Sequence, residues 1–188
     1  MQEQEGAMAE TKRIVNLKGK LMTLLGPEIK VGQKAPPFKL LAMDMSEVEL
    51  SQSKGKVRLL SVVFSLDTGV CDLQTQRFEA EASKFKDVVI YAISMDLPFA
   101  QARYCGAHSI SNLKTLSDHR EASFGRAYGV LIEELRLLSR AIFIIDRDDT
   151  VRYIEYVPEV SQHPDYDKAI HALKSLTGAA PNEAIAPT

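Results

Sequence analysis

The feature that most constrains this chain is the short run from Val57 to Phe64, in which Leu59, Leu60, Val62, Val63 and Phe64 leave almost no polar position. A strand with one wet face alternates apolar and polar residues, so a near-continuous apolar run of this length belongs to a strand covered on both faces, at the centre of a sheet. The next stretch of chain fits that setting. After Ser65-Leu66-Asp67-Thr68-Gly69-Val70-Cys71 comes a helical pattern with Leu73, Phe78, Ala82 and Phe85 on one side and Gln76, Arg77, Glu81 and Lys84 elsewhere. Val88 to Ile93 reads as a second buried strand. Asp96-Leu97-Pro98 then opens a helix through Cys105, with an acidic first turn and an early proline, both favoured there.

Leu138 to Ile145 and Val151 to Val157 read as strands of an antiparallel hairpin joined by the polar turn Asp146-Arg147-Asp148-Asp149. Asp165 to Leu176 is a closing helix with Ala169, Ile170, Leu173 and Leu176 in register and Gly178 as its stop. A strand–helix–strand half followed by a hairpin and a helix is the thioredoxin topology, an α/β fold with a central mixed sheet flanked by helices. Ahead of it, Ile14 to Leu17 and Leu21 to Leu25 flank Lys18-Gly19-Lys20 as an extra N-terminal hairpin, and Phe38–Ala42 with Val48–Leu50 predicts a second one. A single domain over 13–177 is expected, with mobile tails at 1–12 and 178–188.

Composition narrows the function. At 188 residues one domain is the expectation, and 45% hydrophobic with 26% charged residues is ordinary for a globular protein. The 23 basic and 25 acidic residues form no long run of either sign, which argues against nucleic-acid or polybasic membrane partners. No apolar stretch nears the roughly 20 residues that cross a bilayer, and the polar, acidic start from Met1 to Glu10 is unlike a signal peptide, so a cytoplasmic setting is expected. The two cysteines cannot frame a disulfide-rich scaffold; a pair in a reducing compartment is redox-active or simply buried.

Cys71 stands where a loop enters a helix. Free amide N–H groups and the positive end of the helix dipole favour a thiolate there, and the Thr68 hydroxyl three residues upstream could orient a peroxide oxygen. On position alone, an inert buried cysteine at a helix start fits as well.

A resemblance separates these readings. Phe64-Ser-Leu-Asp-Thr-Gly-Val-Cys71 with Gln74-Thr75-Gln76-Arg77-Phe78 resembles the peroxidatic signature of the thiol peroxidase subfamily of peroxiredoxins. Further matches occur in the same order: Val31-Gly-Gln-Lys-Ala-Pro-Pro-Phe38, Asp96-Leu-Pro-Phe-Ala-Gln-Ala-Arg-Tyr-Cys105, Thr115-Leu-Ser-Asp118, Phe124 to Val130, and Arg140-Ala-Ile-Phe-Ile-Ile-Asp146. The resemblance implies that Cys71 attacks a hydroperoxide and becomes a sulfenic acid, which Cys105 of the same chain then captures as a disulfide that thioredoxin reduces. It also implies that Arg140 holds Cys71 as thiolate and stabilises charge on the peroxide oxygens, although without it Arg140 would read as a solvated charge at a strand end. The implied reaction uses no metal, flavin or haem, and the implied assembly is a homodimer through the face around the active site. A disulfide needs Cα atoms about 4.4–6.8 Å apart, so local unwinding around Cys71 and Cys105 is expected to accompany its formation.

One residue departs from the signature, which has proline where this chain has Phe64. That keeps a rival in play, a catalytically weak redox sensor or interaction protein on the same fold. Other motifs carry less. Cys105 and His108 have Cys-x-x-His spacing without a second pair to complete a zinc site, the remaining histidines are scattered, and the chain has neither Cys-x-x-Cys nor a glycine-rich phosphate loop.

Overall fold

Two consecutive residues at positive φ, Lys18 (51°) and Gly19 (83°), turn the chain back on itself between β1 (Lys12–Leu17) and β2 (Lys20–Leu25), the backbone combination that matches the twist of a two-residue hairpin. The computed structural model describes residues 10–178. A second hairpin pairs β3 (Lys39–Leu41) with β4 (Glu47–Glu49). Then come β5 (Val57–Val62), α1 (Gly69–Ala82), β6 (Val88–Ser94), α2 (Pro98–His108), β7 (Lys114–Ser117) and the short α3 (Ser123–Ala127). The chain closes with β8 (Leu131–Ile132), β9 (Leu137–Leu138), β10 (Ala141–Ile145), β11 (Val151–Tyr156) and α4 (Tyr166–Thr177).

Seven strands form the central sheet in the order β11-β10-β5-β6-β7-β3-β4, with β5, β6 and β7 parallel and β10, β11 and β3 antiparallel to their neighbours. Every residue of β5 is buried, as its composition requires. Leu60 and Val62 meet an aromatic-rich layer containing Phe38, Phe124, Tyr128 and Phe143, while Val57 and Leu59 face Phe78 of α1 and Ala169 and Leu173 of α4. Arg58 within the same strand is also buried, its charge met by Asp149 and its Nη1 donating to the Asp146 carbonyl at 3.0 Å. A smaller sheet, β1-β2-β8-β9, packs the N-terminal hairpin beside the core, with Leu24 and Leu25 opposite Ile132 and Leu131.

Several expectations need correction. The predicted strand from Leu138 to Ile145 is two strands: Leu138 pairs with Leu131 in the small sheet, and Ala141 pairs with Val62 in the large one, leaving Ser139 and Arg140 at the crossing. Leu73, placed by pattern on the inner side of α1, is 56% exposed, whereas Gln74, Thr75 and Glu81 are buried. Asp96 is not in the first turn of α2, which is capped at Leu97 with Pro98 at its start. Lys12 already lies in β1 and Gly178 forms the left-handed cap of α4 at φ 67°, while residues 1–9 and 179–188 of the expected tails lie outside the described residues.

Candidate active site

Cys71 occupies the third position of α1, behind the N-cap residue Thr68, where the first-turn amides have no partners inside the helix. The loop before it is fixed by Asp96, two residues beyond the end of β6. One carboxylate oxygen of Asp96 accepts from the Ser65 hydroxyl at 2.8 Å, and the other from the Leu66 amide and the Ser94 hydroxyl, each at 2.8 Å. Asp96 is held out of α2 because it ties the loop that carries Cys71 to the sheet.

Arg140 reaches Cys71 from the crossing between the two sheets. Its Nη2 donates to Cys71 Sγ at 3.3 Å, its Nη1 to Gln74 Oε1 at 2.6 Å and its Nε to the Val160 carbonyl at 3.0 Å. Gln74 is held in turn by donating to the Ser61 hydroxyl at 2.7 Å. Arg140 is 2% exposed and Cys71 0%, so the contact lies where water competes little. Sequence reasoning gives Gln74 no role of its own, although it lies in the run that carries the resemblance, about one helical turn after Cys71. The Thr68 hydroxyl donates to the Ser65 carbonyl at 2.8 Å, which leaves its oxygen lone pairs for another partner.

A cavity of about 300 Å³ opens beside this network, lined by Leu17, Phe64, Thr68, Val70, Arg140 and Val160 among others. Phe64 therefore stands on the cavity wall, packed between the small cluster around Val15 and Ile132 and the one that holds the two cysteines. A small molecule in this cavity meets the guanidinium and an apolar wall before it meets the sulfur.

Cys105 lies in the body of α2, buried in the same apolar cluster as Cys71 with Val63, Leu66 and Tyr104, and the two thiols are not bonded to each other. Its sulfur sits 3.6 Å from the Thr115 hydroxyl on β7, and burial pushes its pKa up. Thr115 and Arg140, the partners of the two sulfurs, are at β7 and beside β10, and those strands are separated by β5 and β6. The two sulfurs are thus held by different partners on different parts of the sheet, and a Cys71–Cys105 disulfide requires them to leave these contacts. His108 is not an isolated surface residue: its ring stacks on Tyr104 with centroids 4.4 Å apart. Among the described residues no cluster of three His, Cys, Asp or Glu side chains is arranged to hold a metal ion, and no helix is long and apolar enough to cross a membrane.

A family model for Redoxin matches residues 30–170. The thiol peroxidase of Halalkalibacterium halodurans is 58% identical over 161 residues, covering 86% of this chain and 97% of that protein. This chain belongs to the thiol peroxidase subfamily of the peroxiredoxins. The thiol peroxidase of Bacillus subtilis is 54% identical over 162 residues, covering 86% of this chain and 97% of its own length. Among solved structures, a peroxiredoxin-like protein from Aquifex aeolicus superposes with a TM-score of 0.82 at 39% identity, covering 89% of this chain and 98% of that one. The thioredoxin-like fold expected from the element order is the fold of these peroxiredoxins.

Proposed function

We propose that this peroxiredoxin reduces hydrogen peroxide and organic hydroperoxides through Cys71 and Cys105. The Cys71 thiolate attacks one peroxide oxygen, the O–O bond breaks, and the other oxygen leaves as water or alcohol after taking up a proton. Cys71 is then a sulfenic acid. The Cys105 thiol attacks that sulfur, the S–O bond breaks, and water leaves with the thiol proton as the disulfide forms. Thioredoxin, as a dithiol, returns two electrons and two protons by exchange through a mixed disulfide in the cytoplasm. Arg140 favours the thiolate and stabilises charge on the departing oxygen, and Thr68 orients the peroxide. The observation that carries this reading is the buried 3.3 Å contact from Arg140 Nη2 to Cys71 Sγ at a helix start beside an open cavity.

A homodimer through the face around the site belongs to the same proposal. Leu73 on α1 and Leu97 and Phe99 at the start of α2 are 56%, 52% and 64% exposed, large apolar side chains of the kind a second copy would cover.

The test is a coupled assay with thioredoxin, thioredoxin reductase and NADPH, run on hydrogen peroxide and a bulky organic hydroperoxide. Cys71→Ser should abolish turnover. Cys105→Ser should allow one oxidation of Cys71, seen by mass spectrometry as sulfenic or further oxidised sulfur, without thioredoxin-driven turnover. Steady turnover in either variant would remove that cysteine from its role. Slow oxidation of the parent protein together with tight binding of a protein partner would favour the sensor reading, for which the aromatic Phe64 on the cavity wall is the motivating feature.

A further inference from the structure

The residue after Cys71 and the residue before Cys105 are joined to each other. Tyr104, 6% exposed, donates its hydroxyl to Asp72 Oδ1 at 2.6 Å. The same carboxylate oxygen accepts from Gln76 Nε2 at 2.7 Å and lies 3.5 Å from His108 Nδ1, while the His108 ring stacks on Tyr104. Burial first, and then the neighbouring Asp72 carboxylate, push the Tyr104 hydroxyl's pKa upward, so it stays a donor at neutral pH. The first turn of α1 is thereby bolted to the body of α2 by a charge-assisted hydrogen bond whose two ends are the immediate neighbours of the two thiols.

We propose that Tyr104 and Asp72 are positioning residues that hold Cys105 away from oxidised Cys71, and so set how the Cys71 sulfenic acid divides between disulfide and sulfinic acid. This rests on the roles given above to Cys71 and Cys105. Bringing the two Cα atoms within about 4.4–6.8 Å requires the turns carrying both cysteines to unwind, and with them Asp72 and Tyr104. While the bond holds, Cys71 sulfenic acid stays beside the cavity, open to a second hydroperoxide. That molecule transfers one oxygen to sulfur, giving the sulfinic acid, and leaves as water or alcohol. A hydrogen bond to a charged acceptor slows such an opening by about tenfold or more.

The experiment uses the reduced full-length chain, mixed with excess hydrogen peroxide and quenched at intervals with acid and a thiol-alkylating reagent, so that mass spectrometry separates sulfenic, sulfinic and disulfide forms. Tyr104→Phe keeps the ring and its stacking on His108 but removes the donor. It should form the disulfide about tenfold faster and give correspondingly less sulfinic acid, with the first oxidation of Cys71 close to the parent rate. Asp72→Ala should behave like Tyr104→Phe and carries the test if that variant folds poorly. Asp72→Asn keeps an acceptor for the hydroxyl but not its charge, and should fall between the parent and Tyr104→Phe. Parent-like partition in both Tyr104→Phe and Asp72→Ala, or slower disulfide formation in either, would overturn the proposal, as would an equal change in the first oxidation step. A parent protein that forms no Cys71–Cys105 disulfide would instead fail the reading of Cys105 itself.

Discussion

Replacing Arg140 by methionine keeps much of the apolar length of the side chain and deletes its charge and all three of its donor nitrogens. Those donors serve Cys71 Sγ at 3.3 Å, Gln74 Oε1 at 2.6 Å and the Val160 carbonyl at 3.0 Å. Loss of a preorganised donor aimed at developing charge costs about 2.7–4 kcal/mol, so the second-order rate of Cys71 oxidation should fall by about 10²–10³. Folding should suffer less than three lost hydrogen bonds would suggest. The stranded acceptors on Gln74 and Val160 cost about 1–3 kcal/mol each where they stay buried, but the burial of a guanidinium is relieved at the same time. Gln74→Met is the companion variant: it leaves the guanidinium beside the sulfur and removes one of its three anchors, and its rate should fall by about tenfold, the worth of one charge-assisted hydrogen bond. The chain contains no tryptophan, so indole fluorescence cannot report the reaction; the rate is measured by rapid quenching of reduced protein with peroxide and counting unmodified Cys71 by mass spectrometry. A folded Arg140→Met protein that reacts at the parent rate would refute the argument.

Two other perturbations test separate parts of the molecule. Phe64→Pro removes the aromatic part of the cavity wall; if about 40 Å² of an organic hydroperoxide packs on that ring, the loss is about 1 kcal/mol at ~25 cal/mol per Å², and the efficiency ratio of organic hydroperoxide to hydrogen peroxide should drop about fivefold, with an unchanged ratio refuting the wall's role. Burial pushes Asp118 up to about 6, although the Phe124 and Gly125 amides donate to its carboxylate. The native state then holds this proton more tightly than the unfolded chain, so stability should decline as pH rises from about 4 to about 6, by up to about 3 kcal/mol from this group. Asp118→Asn should flatten that part of the profile in denaturant titrations at successive pH values, and an unaltered slope would show that Asp118 does not cause it.

The elements readable from sequence are those whose local chemistry and tertiary setting agree. Val57 to Val62 is apolar at four of its six positions because both of its faces are covered, and the Lys18-Gly19 turn needs positive φ. Asp165, at the expected start of the last helix, caps it by accepting from the Lys168 amide. Pattern fails where pairing is decided from outside the segment. Two-residue strands such as β8 and β9 exist because β2 pairs with β8 and β8 in turn with β9, and nothing in Leu137-Leu138 marks the point at which the chain changes sheet. Along α1, Leu73 reads as core and is exposed, because that helix turns polar residues inward to serve the site: Gln74 to Arg140, and the Thr75 hydroxyl to the Cys71 carbonyl at 2.8 Å. Cys71 is marked as a candidate by its place at a loop-to-helix junction, but only the resemblance separates it from an inert buried cysteine. Arg140 needs the resemblance, since a lone arginine far along the chain carries no local mark of the sulfur it faces. The roles of Asp96, Asp72 and Tyr104 become visible only through their partners in space.

The turn between β1 and β2 brings Leu17 and Lys18 to the wall of the cavity beside Arg140, yet both precede residues 30–170, the stretch that matches the Redoxin model. One part of the cavity wall is therefore contributed by a length of chain separate from the one that carries Cys71, while Phe64, Thr68, Val70, Arg140 and Val160 supply the rest. A graft of the β1–β2 turn from another peroxiredoxin would be a change of gatehouse with the furnace untouched, and a library confined to residues 16–21 is the economical place to begin re-tooling this scaffold for new hydroperoxides.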